Sequence, residues 1–93
     1  MSNFRKVGEF HAACGLEVQG DCGAQWPLWE TRKLRIDLIK EELEELIEAN
    51  EKNDLVGIAD ALTDLLYVVY GAGHCYNMDL DACFDEVHRN NMT

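Results

Sequence analysis

Residues 55–72 constrain the fold more than any other stretch, because they are apolar on almost every side and yet carry two aspartates. At 100° per residue, one face of a helix over this stretch consists of Ile58, Leu62, Leu65 and Val69. Asp60 and Asp64 are four residues apart, so they lie one turn apart and almost opposite that face, beside Tyr67. Two like charges in apolar surroundings repel each other and resist desolvation. The stretch therefore predicts a helix that protein covers on most sides, with a positive group between its aspartates.

A second acidic cluster precedes this helix, in the sequence Glu-Glu-Leu-Glu-Glu-Leu of residues 41–46. Glu42 and Glu45 are three residues apart and are neighbours on one helical face. The short connection at residues 50–54 makes the two helices antiparallel partners, so that several carboxylates converge with no Lys or Arg between them. Hard divalent cations bind such oxygen ligands, and no zinc-type ligand is mixed into the cluster. We therefore predict a site for Mg²⁺, with Mn²⁺ as the alternative ion; a purely solvated acidic face is the competing interpretation.

The whole sequence predicts a single all-α domain over residues 1–93, a four-helix bundle around a central helical hairpin at 28–77. The predicted helices cover residues 2–13, 28–50, 55–74 and 80–90, and a loop covers 15–27. The expected N-caps are Ser2 or Asn3, Asn53 or Asp54, and Asp79. The residues expected to face inward are Phe4, Val7, Phe10 and His11 in the first helix, Ile36, Ile39, Leu43 and Leu46 in the second, and Leu80, Cys83, Phe84 and Val87 in the fourth.

The charge balance argues against some kinds of partner. Eighteen acidic residues against eight basic ones give a formal charge of −10, and the pI is near 4.5. Such a chain is not expected to bind nucleic acid or an anionic membrane surface. We also expect no apolar run of membrane-spanning length and no signal peptide, and hence a cytoplasmic protein.

The cysteines and tryptophans each leave an alternative open. The four cysteines contain no paired C-x-x-C, so buried free thiols are expected rather than a zinc site. The zinc alternative would use His11, Cys14, Cys22 and Cys75. Trp26 and Trp29 flank the only proline near the start of the second helix. Such a pair usually closes a core, and its functional alternative is a wall against which a planar base stacks.

Two motifs in order resemble a known family. The sequence Lys-Glu-Glu-Leu-Glu-Glu-Leu at 40–46 is followed by Ala-Asp-Ala-Leu-Thr-Asp-Leu-Leu-Tyr at 59–67. This order resembles the MazG-type all-α nucleoside triphosphate pyrophosphohydrolases, which are relatives of the dimeric dUTPases and of phosphoribosyl-ATP pyrophosphohydrolase. The closing Phe-Asp-Glu-Val-His-Arg-Asn-Asn-Met at 84–92 is similar to the end of the helical core in small MazG-like proteins. The resemblance covers about residues 30–92 and implies a fold with two long central helices.

The resemblance implies roles for individual residues. The family's E-x-x-E motif falls on Glu42 and Glu45, and the final acid of its E-x-x-D motif falls on Asp64. The glutamate of that second motif is replaced by Ala61 here, while Asp60 stands one position earlier. The metal ligands predicted on this basis are Glu42, Glu45, Asp60 and Asp64.

The implied reaction is the magnesium-dependent hydrolysis of a (deoxy)nucleoside triphosphate to monophosphate and pyrophosphate, as in the house-cleaning of nucleotide pools. Glu41, which precedes the first motif, is the predicted catalytic residue that orients or deprotonates the attacking water. The residues predicted to contact the substrate are Lys40, Trp26, Trp29, Arg89 and Asn91. The open alternatives are an activity like that of phosphoribosyl-ATP pyrophosphohydrolase and a non-catalytic helical dimer or adaptor.

Both the residues and the resemblance predict a homodimer or a homotetramer. One chain has only the second helix and two short ones to cover a third helix that is apolar nearly all round. A two-fold dimer covers such a helix economically. The resembling family forms dimers or dimers of dimers, with nucleotide pockets bordered by both chains, which implies the same kind of assembly.

Overall fold

The computed structural model describes residues 1–15 and 23–93. They form four helices, α1 (Asn3–Ala13), α2 (Trp29–Glu51), α3 (Leu55–Cys75) and α4 (Leu80–Asn91), and they contain no strand. The predicted all-α fold with two long central helices is confirmed, and each helix lies within one residue of its predicted bounds. Cys22 and most of the predicted loop lie outside the described residues.

α2 and α3 form the antiparallel hairpin at the centre of the fold. The turn places Asn53 in the left-handed region with a φ of 57°. The Asp54 carboxylate accepts a hydrogen bond of 3.0 Å from the Gly57 N–H and so caps α3. Near this turn the helices meet through the small residues Ala49 and Ala61, which are 8% and 3% exposed. Because both side chains are small, the two helix backbones can approach closely on the faces that carry Ala49 and Ala61.

α1 packs against α3 through an aromatic contact. The ring of Phe4 stacks on that of His74 with a centroid separation of 3.9 Å, and Nε2 of His74 lies 2.7 Å from the Phe4 carbonyl oxygen. Phe4, Val7 and His11 are buried, as predicted. Phe10 was predicted on the same side, but it is 50% exposed because it lies at the edge of the contact.

The predicted inward seam of α2 is only partly covered. Ile39 and Leu46 are half-buried, whereas Ile36 and Leu43 are 52% and 46% exposed. The prediction was therefore wrong for Ile36 and Leu43. The physical reason is that α3 lies against the neighbouring face of α2, the face that carries Ala49.

Eight of the large exposed apolar residues of the hairpin share one side of it, which we call the apolar side. They are Trp29, Ile36, Leu43 and Ile47 on α2 and Leu55, Leu62, Leu66 and Val69 on α3, and they are between 37% and 81% exposed. At 100° per residue, each set lies about a third of a turn from the face that meets the other helix. Because the helices are antiparallel, both sets fall on the same side of the hairpin. The described chain leaves this side uncovered.

α4 contacts the rest of the described chain through its first turn. Leu80 packs against Gly73, and the Ser2 hydroxyl donates a hydrogen bond of 2.6 Å to the Asp81 carboxylate. Residues 82–93 are all exposed, because the described chain does not cover α4 beyond that turn. The residues wrongly predicted to face the core of the chain are Cys83, Phe84 and Val87.

α3 is long and apolar enough to cross a membrane, judged by length and composition alone. The expectation that no stretch reaches that length was therefore wrong for its 21 residues. The core helix of a soluble protein passes the same test, so this property by itself assigns α3 to neither environment.

Candidate metal centre

Three of the predicted ligands meet where α2 and α3 face each other. Glu42 and Glu45 lie one turn apart on α2, and Asp64 approaches them from α3. One carboxylate oxygen of each residue lies within 4.8 Å of the other two. Glu42 is half-buried, whereas Glu45 and Asp64 are exposed, so this carboxylate cluster opens to solvent. The hairpin therefore brings these three predicted ligands together.

The cluster is electrostatically unbalanced. Burial, then the hydrogen bond and charge of Glu45, then the charges of Asp64 and Glu41 raise the pKa of Glu42 to about 6. Oε2 of Glu42 is closed off from solvent and has no hydrogen-bond partner among the described residues. Neither of the two salt bridges in the described chain involves the cluster. Three carboxylates with no salt bridge to a basic side chain, one of them with a buried unpartnered oxygen, fit a divalent metal ion.

Asp60 lies outside this cluster. It is exposed on the preceding turn of α3, where it lines a shallow acidic groove of about 250 Å³ together with Glu45 and Glu48. Glu45 borders both the groove and the cluster, so a cation bound to the cluster would lie near one end of the groove. The Asp60 carboxylate is therefore not among the converging ligand atoms, and it would act on a cation bound there only from a distance.

A pocket of about 420 Å³, which we call the tryptophan pocket, lies on the first half of α2, on a face that does not carry the cluster. The Arg32 guanidinium lies 4.9 Å from the Trp26 ring centroid and 5.1 Å from that of Trp29. The other residues that line the pocket are Lys33, Ile36, Asp37, Lys40 and Tyr76. Trp26 and Trp29 are 78% and 64% exposed, so the interpretation that they close the core is wrong. Their alternative role as a wall for a planar base stays a prediction.

The other predicted site residues lie beside or away from the cluster. Lys40 and Glu41 are exposed on α2, and Glu41 is near enough for its charge to act on Glu42. Arg89 and Asn91 lie on the exposed part of α4, where Arg89 forms a salt bridge within its own helix. Within one chain, the structure does not bring these two residues to the carboxylates.

The described residues give the zinc alternative no support. Among them, the carboxylate cluster is the group whose ligand atoms converge. Cys14 and Cys83 are exposed, so the prediction of buried thiols was wrong for both. His11 is buried in the contact between α1 and α3, as expected for an ordinary core residue.

Two arginines were not predicted as part of the site. Arg32 lies over both tryptophans, and Arg35 has an Nε that is closed off from solvent without a hydrogen-bond partner in the described chain. The sequence did hold a signal for each. Arg32 follows Trp29 by three residues, and Arg35 precedes Glu42 by seven, so each pair shares a face of α2.

Comparisons with known proteins identify the family. A family model described as phosphoribosyl-ATP pyrophosphohydrolase matches residues 7–91. This chain belongs to that family. The resemblance to the MazG-like all-α pyrophosphohydrolases is thereby confirmed. An uncharacterized protein, L479 of Acanthamoeba polyphaga mimivirus, is 43% identical over an alignment of 84 residues, and the match covers 86% of this chain and 33% of the viral protein. The chain thus spans about a third of the length of that relative.

The family relates the carboxylate cluster to a chemistry. Its members are pyrophosphohydrolases of nucleotides and are typically metal-dependent. Glu42, Glu45 and Asp64 lie within the matched residues and offer the oxygen ligands that Mg²⁺ binds. Ala61 is buried in the hairpin contact at the position where the resembling motif has glutamate. The described cluster therefore holds three carboxylates where that motif would supply a fourth.

Proposed function

We propose that this protein hydrolyses (deoxy)nucleoside triphosphates to the monophosphate and pyrophosphate, with Mg²⁺ as cofactor or Mn²⁺ in its place. The observation that carries the proposal is the cluster of Glu42, Glu45 and Asp64 in a chain of a pyrophosphohydrolase family. The buried unpartnered oxygen of Glu42 supports a ligand role, since an acid on a merely solvated face would bind water.

Different residues have different roles in the proposed reaction. Glu42, Glu45 and Asp64 hold the metal, which when bound neutralises the triphosphate and makes water a better nucleophile. Glu41, exposed beside the cluster, orients the attacking water or accepts its proton. The water oxygen forms a bond to the α-phosphorus, the bond to the bridging oxygen breaks, and pyrophosphate leaves with that oxygen.

The tryptophan pocket is the proposed place for the nucleoside. It lies on the same helix as the cluster but on another face, because Lys40, which lines it, is two residues and thus about 200° of helical rotation away from Glu42. A nucleoside in this pocket would therefore belong to a triphosphate bound at the cluster of a second chain. The exposed rings of Trp26 and Trp29 offer a stacking surface for a base, and Lys40 offers a positive charge toward the phosphates. Phosphoribosyl-ATP is the second candidate substrate, because the matching family model carries that description.

We further propose that a second copy of the chain covers the apolar side, giving a homodimer or a tetramer of two such dimers. Eight large apolar residues on one side of the hairpin are exposed in the single chain, and an isologous contact would bury most of them, with Trp29 and Ile36 left at its edge beside the nucleoside. Both carboxylate clusters would stay open. α4, exposed beyond its first turn, would then lie near the partner and could bring Arg89 and Asn91 toward the partner's nucleotide.

The biological setting follows from the same proposal. A cytoplasmic enzyme of this kind would remove unwanted nucleotides from the pool, and it needs neither nucleic acid nor a membrane as a partner. The net charge of −10 agrees with that setting, because the substrate would arrive as a magnesium complex rather than as a bare anion.

A screen of pyrophosphate release tests the function. The substrates are the canonical ribo- and deoxyribonucleoside triphosphates, several damaged ones and phosphoribosyl-ATP, each with Mg²⁺, with Mn²⁺ and with a chelator. We expect metal-dependent release from at least one of them, and loss of that release in Glu45→Gln. Absence of release from all of them, or release that neither the chelator nor Glu45→Gln affects, would overturn the proposal and favour a non-catalytic helical protein.

A further inference from the structure

The order of charges along α2 is the reverse of what a helix prefers. The first half of α2 contains four of the eight basic residues of the chain, at positions 32, 33, 35 and 40. The second half, residues 41–51, includes six glutamates. The helix macrodipole favours acids near the N-terminus and bases near the C-terminus. Helix stability therefore does not account for this order. Of the four basic residues, Arg35 shares a face of α2 with Glu42, and a ligand with a cation at one end and free anionic groups at the other would account for that pair.

Arg35 is the basic residue of this group that lies at the junction of α1, α2 and α3. Its Nη1 and the Nε2 of His11 both lie 3.1 Å from the point where a Cβ on Gly71 would sit. Gly71 and His11 are both buried. Glycine at position 71 thus leaves the space that the guanidinium and the imidazole occupy, and any larger residue would crowd both.

The charge of Arg35 is not balanced within the described chain. Arg35 takes part in neither of its salt bridges, and its Nε is buried without a hydrogen-bond partner. His11 beside it favours the neutral form, because burial first and the charge of Arg35 second lower the pKa of its imidazole. A buried guanidinium N–H without an acceptor is costly. An anionic oxygen of a ligand would satisfy it.

Arg35 lies in register with the carboxylate cluster on both helices of the hairpin. It precedes Glu42 by seven residues, and Gly71 follows Asp64 by seven. Seven residues are two turns, roughly 10 Å at 1.5 Å per residue. The outer phosphates of a triphosphate whose inner phosphates are held at the carboxylates, together with the reach of the arginine side chain, can span that distance.

We propose that Arg35 binds the terminal phosphates of the nucleotide, the part that leaves as pyrophosphate. This inference rests on the proposed function for the placement of the triphosphate on the cluster. The planar guanidinium presents paired N–H groups that match two phosphate oxygens, which a lysine at this position would not do. Because Gly71 has no side chain, the guanidinium has room at this position, and the neutral imidazole of His11 adds no competing positive charge.

Calorimetric titration with magnesium pyrophosphate tests this site without requiring turnover. Arg35→Gln removes the charge and the paired donors. Arg5→Gln makes the same substitution at an exposed position on α1 and is the matched control. We expect pyrophosphate binding to weaken about tenfold or more in Arg35→Gln and less than about twofold in Arg5→Gln. Mn²⁺ binding without pyrophosphate should be unchanged in both variants, which shows that the fold and the carboxylates are intact.

A second variant crowds the arginine without removing it. Gly71→Ala places a methyl group against Nη1 of Arg35 and Nε2 of His11, so it should also weaken pyrophosphate binding while Mn²⁺ binding persists. If Arg35→Gln does not fold, Arg35→Lys and Gly71→Ala provide the test. Weaker pyrophosphate binding in both then supports the inference, and unchanged binding in both overturns it.

The outcomes separate this inference from the proposed function. If Arg35→Gln binds pyrophosphate as tightly as the natural protein, or loses no more affinity than Arg5→Gln, Arg35 does not bind the terminal phosphates, even where turnover is observed. If no nucleotide is hydrolysed but Arg35→Gln still loses pyrophosphate affinity, the proposed function fails and the phosphate site stands.

Discussion

The two sides of the α2–α3 hairpin are both unfavourable in an isolated chain, for opposite reasons. On one side, the carboxylate cluster gathers three acids whose oxygens lie within 4.8 Å of each other. On the apolar side, eight large residues are between 37% and 81% exposed. Crowded like charges are relieved by a small ion of high charge, whereas exposed apolar area is relieved by a large surface, at about 25 cal/mol per Å² buried. The difference fits the two partners proposed above, a divalent cation for the cluster and a second copy of the chain for the apolar side.

The largest effect is expected in the carboxylate cluster. Glu45→Gln keeps the shape of the side chain and removes one ligand charge. Loss of outer-shell partners of a metal typically costs about 10–100-fold, so loss of a direct ligand should lower turnover by more than about 100-fold. The metal-free variant should melt at the same temperature as the natural protein or higher, because one of the repelling charges is gone. Pyrophosphate release and thermal melting measure the two effects.

Glu44→Gln is the matched control for this prediction. Glu44 is exposed on the same helix and lies outside the cluster, so its substitution should change turnover less than about twofold. Turnover at the natural rate in Glu42→Gln, Glu45→Gln and Asp64→Asn would contradict the metal assignment.

The next largest effect is expected on the apolar side. Leu62→Asp places a charge within the proposed contact between two chains, where an unpaired charge costs several kcal/mol to bury. We expect the dimer to dissociate at micromolar concentration and the melting temperature to fall, with sedimentation velocity as the measurement. A natural protein that sediments as a compact and active monomer would refute both the contact and a pocket shared between chains.

Val56→Asp is the control for the apolar side. Val56 is 73% exposed in the first turn of α3 and does not belong to the apolar side. An acid in the first turn is tolerated by the helix dipole, so the oligomeric state should not change. Dissociation in both variants would mean that the effect comes from destabilising α3 and not from the contact.

The fold and the meeting of the acids were predictable because they depend on local patterns. The caps Ser2, Asp54 and Asp79 and the helical periodicity define the elements. The spacing of Glu42 and Glu45, followed by a short turn, is enough to direct them at the next helix.

The division of the apolar residues was not predictable from periodicity. A helix with one broad inward seam and a helix with two apolar faces for two partners give nearly the same pattern. Ile36 and Leu43 were therefore expected inside the chain, although they lie on the apolar side. Phe84 and Val87 on α4 were misplaced for the same reason. An amphipathic pattern shows that a face needs cover, but it does not show which chain provides it.

Arg35 was missed for a different reason. Its position becomes informative only when α2 and α3 are placed in register, with Gly71 opposite it and His11 arriving from α1. The three residues lie far apart in the sequence, so no local sequence pattern links them. The same holds for Arg32, whose relation to Trp26 depends on how the chain enters α2.

The raised pKa of Glu42 predicts opposite pH dependences for the metal-free and the metal-bound protein. Its pKa of about 6 in the folded state exceeds the ordinary value of 4.5, so the folded state binds this proton more tightly than the unfolded state. The resulting stabilisation is complete below pH 4.5 and is lost as pH rises through about 6. A metal must displace the same proton, so metal affinity rises over the same range.

Thermal melting with and without Mg²⁺ at pH 5 and pH 7 measures this dependence. We expect the increase in melting temperature caused by Mg²⁺ to be clearly larger at pH 7. Glu42→Gln, which cannot titrate, should show a weaker increase that changes less between the two pH values. A magnesium effect of equal size at both pH values in the natural protein would contradict the role of Glu42 as a ligand that competes with a proton.

The smallest effect is expected at Asp60. It is exposed on the turn before the cluster and is absent from the converging ligands, so its charge reaches a bound cation only through solvent that screens it. Asp60→Asn should therefore lower turnover less than about tenfold, below the loss expected for Asp64→Asn and for a direct ligand in general. Rates of pyrophosphate release from the two variants at saturating Mg²⁺ give the comparison. Equal losses would mean that the Asp60 side chain turns toward the carboxylate cluster when metal binds. Asp60 would then act in place of the glutamate that Ala61 replaces, and the carboxylate cluster would have four ligands.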